Sequence, residues 1–278
     1  MGNLRMVSPD LSLMKVNRRP DWARAGILMA VTAAALAMTL CASPIPQALG
    51  YHDFADQRTL LGIRNALNVL SNLGFVLAGA VGLAAVRRSA SFVDGREHLP
   101  WLVLFVGVLL TSAGSTWYHL APTNDSLVWD RLPMTLGFMG LLAALIGERV
   151  SVRWGIVLLA PLVLLGAASV GYWIRTESLG RGDLRLYYLV QFYPLVAILL
   201  LLALYPPRYT RGADLIVALA WYVAAKGAES CDGTIYRALG FVSGHTLKHL
   251  LATVGPLWLA RMLLLRQPVP FQTAGTAT

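Results

Sequence analysis

Charge and thiols are what this chain has least of. Only 13% of its residues are charged, about half the roughly 25% of soluble domains, which excludes an ordinary water-soluble globule. Two cysteines, Cys41 and Cys231, stand apart with no Cys-x-x-Cys pair. That excludes a disulfide framework and a thiolate zinc site and leaves the redox compartment open. Acidic residues are scarce as well, 14 against 23 lysines and arginines. The resulting net charge of +9 does not point to nucleic acid, because the basic residues are scattered over short loops with no basic helix and no aromatic-interleaved patch. Repeats, low-complexity tracts and a second soluble domain are also missing.

What is abundant is apolar sequence, 56% of the 278 residues. It falls into eight segments close to the ~20 residues needed to cross hydrocarbon. The first runs from 25 to 43, and the others cover roughly 66–87, 99–119, 131–149, 152–174, 185–205, 212–228 and 243–266. The expected fold is therefore an all-α membrane protein, a seven-helix bundle over 66–266 with one extra N-terminal transmembrane helix at 25–43. A basic tail (1–24), a non-cytoplasmic connection (44–65) and a short C-terminal tail (267–278) complete it. The first segment also fits the core of a signal peptide, but the region before it is long for one, and a retained helix is the preferred reading. The segment at 212–228 is the weakest, with Asp214, Lys226 and Glu229 crowding its ends.

Orientation follows from the basic residues of the connections. Fourteen lie on one side and seven on the other, which puts both termini in the cytoplasm if all eight segments cross. The expected location is the cell membrane.

With that topology, polar residues from distant parts of the chain share one depth on the non-cytoplasmic side. His119 ends one segment, with Ser115 one turn before it; Asp130 opens the next; His245 and His249 begin the last. Ionisable residues at membrane depth are costly unless they face the interior and find partners, so each is a functional candidate. His245 and His249, four apart, stack on one helical face and can close on one metal ion. Three neutral imidazoles with an open fourth position make a catalytic zinc, whose coordinated water has a pKa lowered to ~7. Asp130 then serves as general base and later general acid, and Ser115 as donor to the oxyanion of a tetrahedral intermediate. The three-histidine reading fails if His119 lies more than about 5 Å from both partners, beyond the reach of zinc–nitrogen bonds of ~2.0–2.1 Å.

Plainer readings exist for each. His119 alone fits an interfacial side chain, Asp130 a helix N-cap before Pro133, and Ser115 a hydroxyl bonded back to its own helix. Asn65, Asn68 and Asn72, with Ser71 beside them, form a polar stripe suited to interhelical hydrogen bonds. Lys226 and Glu229 suit an i, i+3 ion pair, with a supporting role for Glu229 and Asp232 behind the histidines as the sharper option. Lys248 points away from the histidine face and either snorkels or finds an acidic partner. His52 and His98 are expected in loops.

These motifs together resemble the alkaline ceramidases, within a superfamily of seven-helix membrane hydrolases that also includes adiponectin-receptor-like proteins. The resemblance rests on Ser115-Thr-Trp-Tyr-His119, Trp129-Asp-Arg-Leu-Pro-Met134, His245-Thr-Leu-Lys-His249 and Asn68-Val-Leu-Ser-Asn72. It covers about residues 51–266. It implies zinc on His119, His245 and His249, Asp130 and Ser115 as the catalytic pair, and hydrolysis of the N-acyl amide of a ceramide-like membrane lipid to fatty acid and long-chain amine. No protein partner is implied. The extra helix at 25–43 departs from the animal members. Asp53 and Asp56 echo their acidic calcium-binding stretch, but Arg58 and Asn65 stand where further ligands belong, which argues against calcium. The alternative from another class is a receptor or sensor of the adiponectin-receptor-like type with little or no hydrolysis. A proton-coupled transporter is disfavoured by the almost wholly apolar cytoplasmic half of the segments, and a haem protein with paired histidines is a fourth reading, which a colourless preparation would dispose of.

Overall fold

The computed structural model describes residues 21–88 and 92–269. Most of the basic tail and residues 270–278 of the C-terminal tail lie outside the described residues. Among the described residues the regular structure is helical, apart from two isolated β-bridges, Leu60 with Ile63 and Tyr209 with Pro268. Ten α-helices follow in order: α1 (Asp21–Cys41), α2 (Ala66–Leu70), α3 (Leu73–Val86), α4 (His98–Leu120), α5 (Asn124–Arg149), α6 (Val152–Ser178), α7 (Arg185–Leu204), α8 (Ala213–Ser230), α9 (Asp232–Leu239) and α10 (Gly244–Leu265).

Among the described residues six stretches are long and apolar enough to cross a membrane: α1, α2 with α3, Gly95–Leu120, α5, α6 and α7. Six of the eight expected spans thus meet that standard. Helix α8 carries Asp214, Lys226 and Glu229 within 18 residues, and α10 opens on two histidines and a lysine. Both are nonetheless built into the bundle, since α10 runs between α3 and α8 and buries Leu259, Ala260, Met262 and Leu263. Helix α1 lies outside. Only 6% of its most apolar window is buried, and it leans on α7 through a hydrogen bond between the Thr32 and Tyr193 hydroxyls.

In a membrane interior, lipid is as apolar as leucine, so close packing rather than water exclusion holds helices together, and small residues mark the contacts. Gly114 is such a contact. A Cβ there would overlap the Trp129 carbonyl oxygen, so α4 and α5 touch backbone to backbone beside Ser115 and Asp130. Gly244 plays the same part for α10, where a Cβ would overlap the Ala228 carbonyl and crowd Asp232. Helices α7 and α8, although consecutive, make little direct contact. A cavity separates them, bridged by a hydrogen bond of 2.8 Å from Gln191 Nε2 to the Tyr222 hydroxyl.

Three boundaries differ from the hydropathy reading. Helix α5 begins at Asn124 rather than near 131, because Thr123 and Ser126 form a reciprocal cap: the Ser126 N–H donates to Thr123 Oγ1 at 3.1 Å, and the Thr123 N–H to Ser126 Oγ at 2.9 Å. Asp130 therefore lies inside the helix and is no N-cap. The span at 66–87 is interrupted by turn residues Ser71 and Asn72. A short helix, α9, precedes α10 and ends at Gly240, whose φ of 75° is the left-handed conformation that closes a helix.

Candidate metal centre

The end of α4 and the first two turns of α10 bring three imidazoles together. His119 Nε2 lies 3.3 Å from His249 Nε2 and 3.3 Å from His245 Nε2, and the three ligand atoms all fall within 4.8 Å of one another. The three side chains are buried, His119 completely. His119 thus lies well inside the limit set by the sequence reading.

Second contacts fix the rings. The Ser71 hydroxyl donates to the Asn68 carbonyl at 3.1 Å, which leaves its oxygen to accept from His249 Nδ1 at 2.8 Å. With the proton assigned to Nδ1, the His249 Nε2 lone pair is free. Among the described residues His119 Nδ1 has no hydrogen-bond partner, and its ring packs against those of Phe54 and Tyr118. Phe54 also covers His245, with ring centroids 4.6 Å apart.

Protons alone do not satisfy this arrangement. His119 Nε2 is either a donor with one hydrogen or an acceptor with one lone pair, yet two nitrogens face it at equal distance. A cation between the rings would answer both His119 contacts, which one proton cannot. Nitrogen bonds of ~2.0–2.1 Å at tetrahedral angles separate ligand atoms by about 3.3–3.4 Å, the spacing found for both pairs. The group could therefore hold a metal ion.

The other sequence candidates are at the same end. Ser115 is 1% exposed and lines the same cavity as Asp130, the two residues lying on either side of the α4–α5 contact. Ser115, Asp130 and His249 line one end of a cavity of about 230 Å³, while His119 and His245 sit behind, under Phe54. The cavity continues between α7 and α8 past Phe138, Leu195, Ile198, Leu215 and Leu219, and is mostly apolar. From Glu229 back to Leu215 it follows α8 for 14 residues, a run of about 21 Å.

The polar stripe makes the interhelical bonds expected of it. Asn65 Nδ2 donates to the His119 carbonyl at 2.8 Å, and Asn68 Oδ1 accepts from Thr246 Oγ1 at 2.7 Å. Lys226 is ion-paired with Glu229, and Lys248 finds its acidic partner in the same carboxylate at 3.0 Å. Asp232 supports His245 through the backbone rather than the ring: Oδ1 accepts the His245 N–H at 2.7 Å and Oδ2 the Ala55 N–H at 2.9 Å. That pair of bonds ties the Phe54 loop to the start of α10. Asp56 is engaged bidentately by Arg58, at 2.8 and 2.7 Å, and the Arg58 hydrogen bond holds its carboxyl below the usual carboxylate range. His52 spends one ring nitrogen on the Tyr118 hydroxyl and the other on Asn124, and takes no part in the cluster. His98 opens α4 at the opposite end.

Fold and site define a helical protein of the multi-pass membrane class with a buried three-histidine group able to hold a metal ion. No protein-family model matches the chain, and no curated protein matches it.

Proposed function

We propose that the protein is a zinc-dependent intramembrane amidohydrolase that cleaves the N-acyl amide of a ceramide-like membrane lipid. The observation that carries this reading is the convergence of three imidazoles, His119 Nε2 lying 3.3 Å from both His245 Nε2 and His249 Nε2, with Asp130 and Ser115 at the head of a long apolar cavity. His119, His245 and His249 would hold the ion, which supplies Lewis acidity for the amide carbonyl and for a water at the site.

Asp130 is the one carboxylate that lines the cavity beside Ser115 and His249 without an ion pair among the described residues. It takes the proton from the attacking water and returns it to the departing nitrogen. Ser115 donates a hydrogen bond from its hydroxyl to the oxyanion as the carbonyl carbon becomes tetrahedral. The apolar cavity accepts the acyl chain. A leaflet-length chain spans about 15 Å, half the ~30 Å hydrocarbon core, and fits a channel that follows α8 for longer than that. Eight membrane spans, cytoplasmic termini and a site towards the non-cytoplasmic face complete the reading.

Purified protein assayed for fatty-acid release from N-acyl lipids tests it. Wild type releases fatty acid and Asp130→Ala, with its metal retained, does not. Metal-loaded protein that hydrolyses no N-acyl lipid contradicts the enzyme and favours the receptor or sensor reading.

A further inference from the structure

The polar end of the cavity carries more positive charge than hydrolysis of a neutral amide uses. Five charged side chains line it: Asp130, Arg131, Lys226, Glu229 and Lys248. Both lysines are matched to Glu229, whose Oε1 also accepts from the Tyr51 hydroxyl at 3.4 Å. Among the described residues Arg131 has no acidic partner in an ion pair. It is 3% exposed. Its Nη2 donates to Gln47 Oε1 at 2.7 Å, while Nη1 is buried with no hydrogen-bond partner. The rings of Trp173, Tyr187 and Tyr51 hold the guanidinium at 4.3, 4.8 and 5.5 Å from their centroids.

Such a cage fixes the guanidinium in place but gives its remaining N–H groups no acceptor. Burying a cation without an anion is costly, and a protein with only a packing need at this position has cheaper residues for it. What an arginine offers that an aromatic or aliphatic side chain does not is a planar fork that fits a carboxylate or phosphate.

We propose that Arg131 is a specificity residue for an anionic head group, so that the lipid amide taken by this cavity bears a carboxylate or phosphate on its amine side. The proposal rests on the hydrolase reading of the same site and narrows its substrate class. The acyl chain lies along α7 and α8, the amide reaches Asp130 and Ser115, and the head-group anion meets the adjacent Arg131. Lys226 and Lys248, sharing one carboxylate, add to the attraction.

The test uses full-length protein in detergent and three ligands of one acyl chain: an N-acylglycine, the matching neutral N-acylethanolamine and the free fatty acid. N-acylglycine is expected to bind about tenfold or more tighter than N-acylethanolamine, as a charge-assisted bond in a buried site requires. Arg131→Gln should erase that preference, so that the variant binds N-acylglycine no more tightly than N-acylethanolamine. Arg131→Lys, which keeps the charge and the cage but loses the fork, should reduce it and covers the case in which the glutamine variant does not fold. Equal affinity for the two amides in wild type overturns the proposal, as does a preference that survives both substitutions. A fatty acid that binds as tightly as N-acylglycine, with the same dependence on Arg131, also overturns it and moves the anion to the product. Fatty-acid release is measured on the same samples. Preference without release would remove the hydrolase and keep the anion site; release from both amides at equal affinity would do the reverse.

Discussion

The two ends of the helical bundle both bury charge, and they do so differently. At the end formed by the start of α4 and the close of α10, the groups are matched. Glu148 accepts from Trp101 Nε1 at 2.9 Å and pairs with Arg266, which stacks on Tyr209 at 4.0 Å. Glu97 pairs with Arg208 at 2.8 Å and accepts from the Tyr209 hydroxyl. At the other end, among the described residues, three imidazoles converge, Asp130 has no cation within ion-pair distance, and Arg131 keeps an Nη1 without a hydrogen-bond partner. Buried polar groups that complete one another hold a structure in register; buried groups left incomplete mark the place where something else must bind.

The comparison breaks most visibly at the matched end. Glu148→Ala takes away the carboxylate that faces Arg266 and Trp101, and should destabilise the fold by about 3–5 kcal/mol, as removal of one partner from a buried pair does. Thermal unfolding in detergent would show it, and the metal content of the folded fraction should stay the same. Equal stability would mean that this end is no more structural than the other.

A smaller effect is expected from Ser71→Ala. The hydroxyl orients His249 through Nδ1, and loss of such a support costs metal affinity about 10–100-fold. Competition with a chelator measures it, and unchanged affinity would remove Ser71 from the site. The smallest effect concerns Asp56. Because Arg58 lowers its pKa in the fold, the pair contributes stability above the unfolded carboxyl value near ~4, and that contribution fades as pH falls through the lowered folded value. Hydrogen exchange of residues 51–58 should rise across that acid range in wild type, and Asp56→Asn should show the raised exchange already at neutral pH.

Much of this was legible before the structure. Hydrophobic runs set six spans clearly, and the His-x-x-x-His spacing, with Ser115, His119 and Asp130 at one depth, pointed to side chains that the fold brings to one end of the bundle. What escaped has physical reasons. The start of α5 was hidden because Thr123-Asn-Asp-Ser126 is polar, although the reciprocal cap it forms is a sequence signal in its own right. Helix α9 has eight residues, too few for hydropathy to register. The interruption at Ser71 carries no glycine or proline to announce it. Phe54 and Arg131 gained their roles from contacts across 65 to 191 and 42 to 84 positions of sequence respectively, with His119, His245, Gln47 and Trp173. No local pattern encodes those.

The central claim is that the unmatched end of the bundle is a metal site completed by His119 from a helix remote in sequence. Metal content of the purified full-length protein tests it most directly, measured for wild type and for His119→Ala. The account predicts about one zinc ion per chain in wild type, as a three-histidine site holds, and its loss in the variant while the helical content is unchanged. A folded wild type that binds no metal, or a metal that persists when His119 is removed, would contradict it.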